Sequence, residues 1–404
     1  MAATVQIDPI VGGPAPDPEF IARATQLIPL LRKNAAASEA QRKIVDETIA
    51  ALDDAGLLDI TRPRRFGGHA CNMRTFLEVI AEVGRGDGAA GWNVGLLNVC
   101  TWFATLFSEQ AQQEIFGPNP KAKLCGSIFA PKGGIFKIEG GYRVSGEWPY
   151  CSGSPWADWA TLALTVDERP DGSPIQALSL VPMKDITIKD TWYVAGMVAT
   201  ASNTIVAKEI FIPSHRIQML EDLAHENYAC TYRDEPNTQV SFVPLATLIL
   251  AGANVGLARA AMDLTKSQRA HKPVTYTIFQ EAKNSPAIQI GVAEAQNLTD
   301  CAALLMARSC ADLDNAAARG EHLDLVTRAR IRMDTGQIAE LSRQAVNRLM
   351  THNGAGAFAL RNDLQRIWRD SEIAVRHAQV EPEVAKLTYG QALLGLDHFS
   401  TLFF

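Results

Sequence analysis

The chain has 404 residues, of which 47% are hydrophobic and 20% are charged, the proportions of an ordinary globular protein. Its 38 Lys and Arg against 44 Asp and Glu give a net charge of −6, without a basic stretch. Because phosphate binding needs clustered basic side chains, this balance argues against nucleic acid as the main partner. Five of the seven Trp lie between Trp92 and Trp159, so the middle of the chain differs from its ends.

The cysteines and the N-terminus indicate the compartment. Seven Cys at irregular spacings do not form a disulfide framework, and without a CxxC pair a zinc site is not expected. The N-terminus lacks a cationic region ahead of an apolar run. No segment approaches about 18 uninterrupted apolar residues, so no membrane span is expected. We therefore expect a cytoplasmic protein that binds neither a metal nor a membrane.

The sequence pattern of the first part of the chain, up to residue 122, predicts helices. Residues 1–18 are rich in Pro, Gly and Ala and predict a flexible N-terminal arm. From residue 19 apolar side chains recur at helical spacing, which predicts an N-terminal helical domain over 19–122. Its second helix is predicted to begin at Ser38, a favourable N-cap residue. A third helix is predicted from Met73 to Val83, and a fourth begins near Ala89.

The composition changes near residue 122. Residues 123–228 carry short apolar runs bounded by turn residues, such as Ile135 to Ile138 and Thr204 to Ile212. Turns at intervals of roughly 8–12 residues are typical of a β-sandwich or barrel. Gly140-Gly141 and Asp171-Gly172 are favourable hairpin turns. A central β domain is therefore predicted over 123–228.

From residue 229 to 404 the helical pattern returns. Long segments rich in Ala and Leu, such as 287–317 and 325–349, are apolar on more than one face. Such helices need several neighbours, which predicts a four-helix bundle. The resulting order, helical then β then helical, is not the alternation of a doubly wound sheet. No dinucleotide-binding GxGxxG follows a strand, and no GxxxxGK[ST] loop occurs.

An aromatic segment lies in the middle of the β domain. It runs from Gly141 to Trp159 and contains the turn Ser152-Gly153. One interpretation is a β-domain core with a tight turn. The other is a platform for a flat cofactor, because aromatic faces stack on rings while a hydroxyl and backbone N–H groups bond ring heteroatoms. Composition alone leaves both interpretations open.

Five stretches, in order along nearly the whole chain, resemble one family. They are Pro63 to Gly68, Gly86 to Trp92, Gly141 to Trp159, Gly196 to Asn203 with the following Phe211-Ile212-Pro213, and Trp368-Arg369-Asp370 with His377. On these motifs the chain resembles the acyl-CoA dehydrogenase fold, specifically its flavin-dependent monooxygenase branch, called group D. The resemblance implies a mainly α protein with N-terminal helices, a middle β barrel or sandwich, a C-terminal four-helix bundle and a homotetrameric assembly.

The segment after Arg369-Asp370 separates two branches of this family. Many acyl-CoA dehydrogenases carry their catalytic Glu there, in a Tyr-Glu-Gly-Thr segment. Here that element is missing and His377 stands nearby, as in the monooxygenase branch. Three alternatives stay open: an N- or S-oxygenase on the same scaffold, a dehydrogenase with its base on another helix, and a non-enzymatic scaffold.

The monooxygenase resemblance implies the oxygenase component of a two-component system. A separate NAD(P)H-dependent reductase supplies reduced FMN, or alternatively reduced FAD. The flavin reacts with O2 at C4a to give a hydroperoxide, whose distal oxygen passes to a small aromatic substrate, phenolic or indolic. The protein must hold the flavin, exclude water and position the substrate.

Two residues are assigned catalytic roles by the resemblance. Ser152 would accept a hydrogen bond from flavin N5–H or donate one to the peroxide; the alternative is a turn hydroxyl that bonds its own backbone. His377 would contact the substrate and take a phenolic proton or donate to the peroxide. The alternative for His377 is a helix histidine bonded to a neighbouring carbonyl.

The remaining site residues also follow from the resemblance. Cys100 stands where many relatives that hydroxylate phenols carry a His, and a buried thiol is a poor base. Phenol activation is therefore in question, and an indole, a sulfide or an amine is an alternative substrate. The implied substrate contacts are Trp92, Asn98 and Cys100. The implied flavin contacts are Trp148, Tyr150, Cys151, Gly153, Trp159, Thr200, Ser202 and Arg269, the last to a flavin phosphate across a subunit boundary.

Overall fold

The computed structural model describes residues 6–131, 134–396, 399 and 401. Helices form its first part, and side-chain caps begin most of them. The carboxylate of Asp17 accepts from the Glu19 N–H at the first helix, and Asn72 accepts from the Thr75 N–H at the third. The helices are α1 (Pro18–Gln41), α2 (Asp46–Asp54), α3 (Met73–Gly86), α4 (Gly88–Thr105) and α5 (Glu109–Phe116).

Two details differ from the predictions for this part. Residues 7–14, expected in a flexible arm, form the hairpin of β1 (Ile7–Asp8) and β2 (Gly13–Pro14). The hairpin packs on α8 (Pro286–Arg319) because Gly13 has no side chain: a Cβ there would lie 2.4 Å from that of Ala311. Ser38 does not cap α2. It lies inside α1, and its hydroxyl accepts from the Val45 N–H, the residue before α2, at 3.1 Å.

The middle part consists of two four-stranded sheets, ordered β10-β7-β6-β3 and β4-β5-β9-β8. Neighbouring strands are antiparallel except β3 and β6, which are parallel. In β5 the register against β9 shifts between Trp148 and Cys151, which marks a bulge. The strands are β3 (Leu124–Ser127), β4 (Ile135–Ile138), β5 (Gly141–Cys151), β6 (Trp159–Glu168), β7 (Pro174–Pro182), β8 (Thr187–Lys189), β9 (Asn203–Pro213) and β10 (Ile217–Met219).

Helices return after the sheets. They are α6 (Leu220–Ala224), α7 (Phe242–Leu264), α8, α9 (Leu325–Asn353), α10 (Asp363–Ala374) and α11 (Pro382–Leu393). Helix α7 contacts α3, α4, α8, α9 and α10. With its continuation to Arg269 it is long and apolar enough to cross a membrane, but 89% of its most apolar window is buried inside the protein, as in the core helix of a soluble protein. The predicted fold class, mainly α with a central β domain, is confirmed.

The three parts meet at one junction. Helix α4 packs on β3 and β6, and it also contacts the short helical turn Val198–Thr200 that precedes β9. Helix α10 contacts α4 from the C-terminal part. The end of β5, the turn before β9, α4 and the residues after α10 therefore surround one region, which contains most of the predicted site.

Candidate functional site

A line of hydrogen bonds joins α4 to two turns of the β domain. The indole Nε1–H of Trp92 donates to Ser152 Oγ at 3.2 Å. The Ser152 and Ser202 hydroxyls are 2.7 Å apart, as are those of Ser202 and Thr200. Thr200 Oγ1 in turn donates to the Met197 carbonyl oxygen at 2.8 Å. We call these five groups, all buried, the hydroxyl relay.

The direction of the hydroxyl relay follows from its end. A carbonyl only accepts, so the single hydroxyl hydrogen of Thr200 points to Met197. The bond between Thr200 and Ser202 must then use the Ser202 hydrogen, and the bond between Ser202 and Ser152 the Ser152 hydrogen. Ser152 Oγ also accepts from Trp92, which leaves it one lone pair and no hydrogen. Toward any further partner Ser152 is therefore an acceptor.

Unusual backbone conformations place the hydroxyl relay. Gly153 has a φ of +75°, and its N–H donates to the Thr200 carbonyl at 3.0 Å. A Cβ on Gly153 would lie 2.8 Å from the Leu97 side chain, so this turn requires glycine. Met197 and Ala201 have φ of 52° and 48°, a left-handed conformation that costs free energy in residues with a Cβ. Such strain is found mostly at functional sites.

His377 lies beside the hydroxyl relay, with its ring centroid 5.9 Å from that of Trp92. Its Nδ1 accepts from the Gln379 N–H at 3.2 Å, so the neutral imidazole carries its hydrogen on Nε2. Burial, and secondarily the charge of Arg332, lower the pKa of His377 to about 4. At neutral pH His377 is thus an uncharged Nε2–H donor. Of the two predicted roles, this geometry supports donation rather than uptake of a phenolic proton.

Cys100 lies on α4 and faces the strands. It is 2% exposed, and its sulfur packs close to Gly126 and against Thr161. Burial raises the pKa of this thiol to about 12. Cys100 is therefore neither an acid nor a base at neutral pH.

Asn98 corrects a predicted substrate contact. Its side chain is fully buried, and its amide donates to the carbonyls of Leu57 and Val94, both at 2.9 Å. Its Oδ1 accepts from the Ile60 N–H at 3.0 Å. Both donors are used within the protein, so Asn98 fastens the segment before α3 to α4 and does not face a substrate.

Two predicted flavin contacts are also corrected. Trp148 is fully buried between the sheets and donates to the Ala163 carbonyl at 2.7 Å, so it has no free face for a cofactor. The Cys151 side chain is fully buried and bonds the Trp148 carbonyl. Tyr150, in contrast, is 65% exposed with a φ of +65°, and its ring meets that of Trp192 edge-on. The exposed aromatic side chain of this bulge is Tyr150.

The last two predicted flavin contacts lie in other surroundings. The Arg216 guanidinium covers the face of Trp159, at 4.9 Å from its centroid. Arg269 donates to the carbonyls of Lys272, Pro273 and His352 and so ties the loop after α7 to the end of α9. Their roles toward a flavin stay predictions. Within the described part of the chain, no group of three or more His, Cys, Asp or Glu could hold a metal ion.

The sequence motifs included Asp370 but assigned it no role. In the structure its buried carboxylate accepts from the Met197 N–H, next to the end of the hydroxyl relay. Burial raises the pKa of Asp370 to about 7. A sequence signal was present: Asp370 follows Leu364 and Ile367 at helical spacing, on the buried face of α10. A charge at such a position indicates a specific partner.

The residues around Ser152 fit a flavin ring. Ser152 offers a lone pair to a ring N–H, and the rings of Trp92 and His377 lie beside it. The glycine turn at Gly153 brings backbone close to the same point. An acceptor among flat rings is the chemistry that a reduced isoalloxazine, with its N–H donor, requires.

Known proteins share this architecture. The family models "Acyl-CoA dehydrogenase, N-terminal domain" and "Acyl-CoA dehydrogenase, C-terminal domain" match residues 25–119 and 248–382. The flavin-dependent monooxygenase oxygenase subunit HsaA of Rhodococcus jostii is 30% identical, covering 94% of this chain and 99% of that protein. The oxygenase component of the FADH2-dependent resorcinol hydroxylase of Rhizobium sp. is 31% identical, covering 95% of each. XiaF from Streptomyces sp., solved with FADH2 and glycerol, superposes with a TM-score of 0.86 at 30% identity, covering 94% of this chain and 96% of XiaF.

These likenesses extend over nearly the full length of the chain and of its relatives. They confirm the family predicted from the motifs and decide between its branches, because these relatives are oxygenases. The chain belongs to the oxygenase components of flavin-dependent monooxygenases, which have the acyl-CoA dehydrogenase fold.

Proposed function

We propose that this protein inserts one oxygen atom of O2 into a small aromatic substrate, using reduced FMN or reduced FAD that a separate NAD(P)H-dependent reductase supplies. The observation that carries the proposal is the acceptor lone pair of Ser152, set by the hydroxyl relay beside the rings of Trp92 and His377. When bound, the reduced flavin supplies the reaction with O2.

The chain's own residues orient the reaction. Ser152 would accept from the N5–H of a bound reduced flavin and so hold the reacting side of the ring in place. His377 donates its Nε2–H to an oxygen of the substrate or of the reacting centre, and its low pKa keeps it neutral while it does so. Trp92 and His377 cover this side of the site and exclude water, which otherwise competes for the oxygen.

The acid–base character of His377 and Cys100 supports one class of aromatic substrate. Neither His377, with a pKa of about 4, nor Cys100, with a pKa of about 12, can take a proton from a phenol at neutral pH. An indole reacts through a ring carbon that is nucleophilic without deprotonation, so an indolic substrate is favoured over a phenolic one. The same argument keeps N- or S-oxygenation as the second candidate function.

The choice between FMN and FAD depends on which residues bind the phosphate part of the flavin. The Rhizobium relative is named FADH2-dependent, and XiaF was solved with FADH2, which supports reduced FAD alongside reduced FMN. Arg269 is the proposed phosphate contact, across a subunit boundary. Its Nε and Nη1 bond carbonyls of its own chain, and Nη2 is the group that would reach the phosphate.

A homotetramer in the cytoplasm is the proposed form of the protein. Apolar side chains on the outer faces of α8 and α11 are about half exposed: Ile290, Leu304, Leu387 and Leu393. Assembly through these helices would bury them. Light scattering should give four times the chain mass of 43.9 kDa, and Leu387→Lys should lower it. A wild-type mass of one chain would contradict the assembly.

One mixing experiment tests the proposed function. The protein is combined without O2 with reduced FMN or reduced FAD, and O2 is then admitted with indole, a phenol or a sulfide. We expect slowed release of oxidised flavin and an oxygenated product, with indole the best substrate. A protein that purifies yellow and is bleached by an acyl-CoA without O2 would instead be a dehydrogenase. Failure to bind either flavin in either oxidation state would indicate a non-enzymatic scaffold.

A further inference from the structure

We propose that Asp370 is a positioning residue that sets the direction of the hydroxyl relay: by holding the backbone of Met197 it keeps Ser152 an acceptor. The direction itself is a property of the protein without flavin. Only its consequence for oxygenation rests on the proposed function.

Close packing brings the Met197 turn onto α10. The preceding residue, Gly196, lies directly against the backbone of Arg369. A Cβ on Gly196 would lie 2.2 Å from the carbonyl oxygen of Arg369. Next to this contact, the Asp370 carboxylate accepts the Met197 N–H, across 173 residues of chain. That bond offsets the cost of the left-handed conformation of Met197. With the backbone held, the Met197 carbonyl accepts from Thr200 and, at 3.0 Å, from the Trp192 indole.

Loss of this anchor would change what Ser152 presents. Met197 could relax to a negative φ, and its carbonyl would turn away from Thr200. The Thr200 hydrogen would then be free to bond Ser202, and each later hydroxyl would reverse in turn. Ser152 would present a hydrogen where it now presents a lone pair. Asp370 thus acts on the site through the hydroxyl relay and not by contact.

Neighbouring carboxylates anchor both ends of the hydroxyl relay. Asp87 caps α4, the helix of Trp92, by accepting from the Ala89 N–H at 3.1 Å. Asp87 and Asp370 line one small cavity together with Arg366 of α10. Burial is the main cause that raises the pKa of Asp370, and the charges of Asp87 and of Glu39 on α1 add to it. The hydrogen bond from the Met197 N–H and the charge of Arg366 lower this pKa. Arg32 of α1, Arg85 of α3 and Asp363 of α10 line the same cavity.

The test observes tryptophan indole N–H groups by nitrogen-15 NMR in the protein without flavin. In Asp370→Ala we expect the resonances of Trp192, bonded to Met197, and of Trp92, at the far end of the hydroxyl relay, both to shift. Asp370→Asn keeps an acceptor oxygen without the charge, so in this variant both resonances should lie close to their wild-type positions. Trp102 and Trp148 donate to carbonyls outside the relay and should not move.

Two results would overturn the proposal. One is a shift of Trp192 without Trp92, which would confine the effect of Asp370 to its own turn. The other is movement of Trp102 and Trp148 as well, which would indicate a general rearrangement. If the Ala variant does not fold, Ser202→Ala decides, because it interrupts the hydroxyl relay between the Met197 turn and Ser152. The Trp92 resonance should then shift while that of Trp192 stays; an unmoved Trp92 resonance would overturn the proposal. Because no flavin is present, these outcomes are independent of whether the protein oxygenates anything.

Discussion

Replacement of Ser152 by Ala should divert most of the oxygen reaction from product to H2O2. The substitution removes the lone pair that faces the cofactor and leaves the buried Trp92 N–H without its acceptor. A lost hydrogen bond of this kind costs about 1–3 kcal/mol, so the ratio of product to H2O2 should fall about 5- to 150-fold. Both quantities are measured per reduced flavin oxidised, with the best substrate saturating.

Ser202→Ala is the matched control for this prediction. It removes the acceptor of the Ser152 hydrogen, while Ser152 keeps its oxygen with the lone pairs and its bond from Trp92. Its effect on the ratio should be clearly smaller than that of Ser152→Ala. If the Ser152→Ala variant gives the same ratio of product to H2O2 as the wild type, the role of Ser152 is refuted. Equal losses in both variants would show that the direction of the Ser152 hydrogen, which the hydroxyl relay sets, matters as much as the Ser152 oxygen itself.

His377→Ala should lower product yield several-fold while flavin affinity stays nearly unchanged, because His377 is expected to donate a hydrogen bond during oxygen transfer. His377→Gln keeps an N–H donor and should restore part of the yield. With a pKa of about 4, His377 stays neutral, so yield should be flat between about pH 6 and 9. A histidine acting as the base with its ordinary pKa would instead give a midpoint of about 6.5.

The same pKa predicts a stability effect with a definite sign. His377 binds a proton below about pH 6.5 in the unfolded chain but only below about pH 4 in the folded chain. The contribution of His377 to the free energy of unfolding therefore falls as the pH drops from about 6.5 toward about 4. In His377→Gln this part of the acid destabilisation should vanish, as seen by urea unfolding at several pH values. Arg332→Met removes the charge that helps to lower the pKa, so the loss of stability should end at a higher pH and be smaller. An identical pH dependence of stability in wild type and His377→Gln would contradict the low pKa.

Much of the fold could be predicted from local patterns. The spacing of apolar residues predicted the first residue of α3 correctly and its last residue three positions too early. The strand Ile135–Ile138 is observed with the predicted bounds. These succeed because helix and strand periodicities reflect which face of a single element is buried. Ser38 shows the limit: a serine that caps a helix and one that closes the loop after a helix look alike in sequence.

The aromatic segment shows the same limit in the site. An aromatic side chain in a strand can belong to the core or to a cofactor platform. Trp148 is core and Tyr150 is exposed, and the use of this segment as a platform stays a prediction. The bulge between Trp148 and Cys151 decides which side chains turn inward. Asn98 was misassigned because two of its three backbone partners come from residues 57 and 60, outside its own helix.

The sequence by itself determined the order of helical and β parts and, through motifs that span the chain, the family. It also singled out Ser152 and His377, which the structure brings into contact with Trp92. Only the tertiary structure decided what these residues can do. The direction of the hydroxyl relay depends on the Met197 carbonyl, and Asp370, far away in the chain, holds that turn. Hydrogen-bond direction depends on distances and angles between separate elements, and no local pattern of residues encodes them.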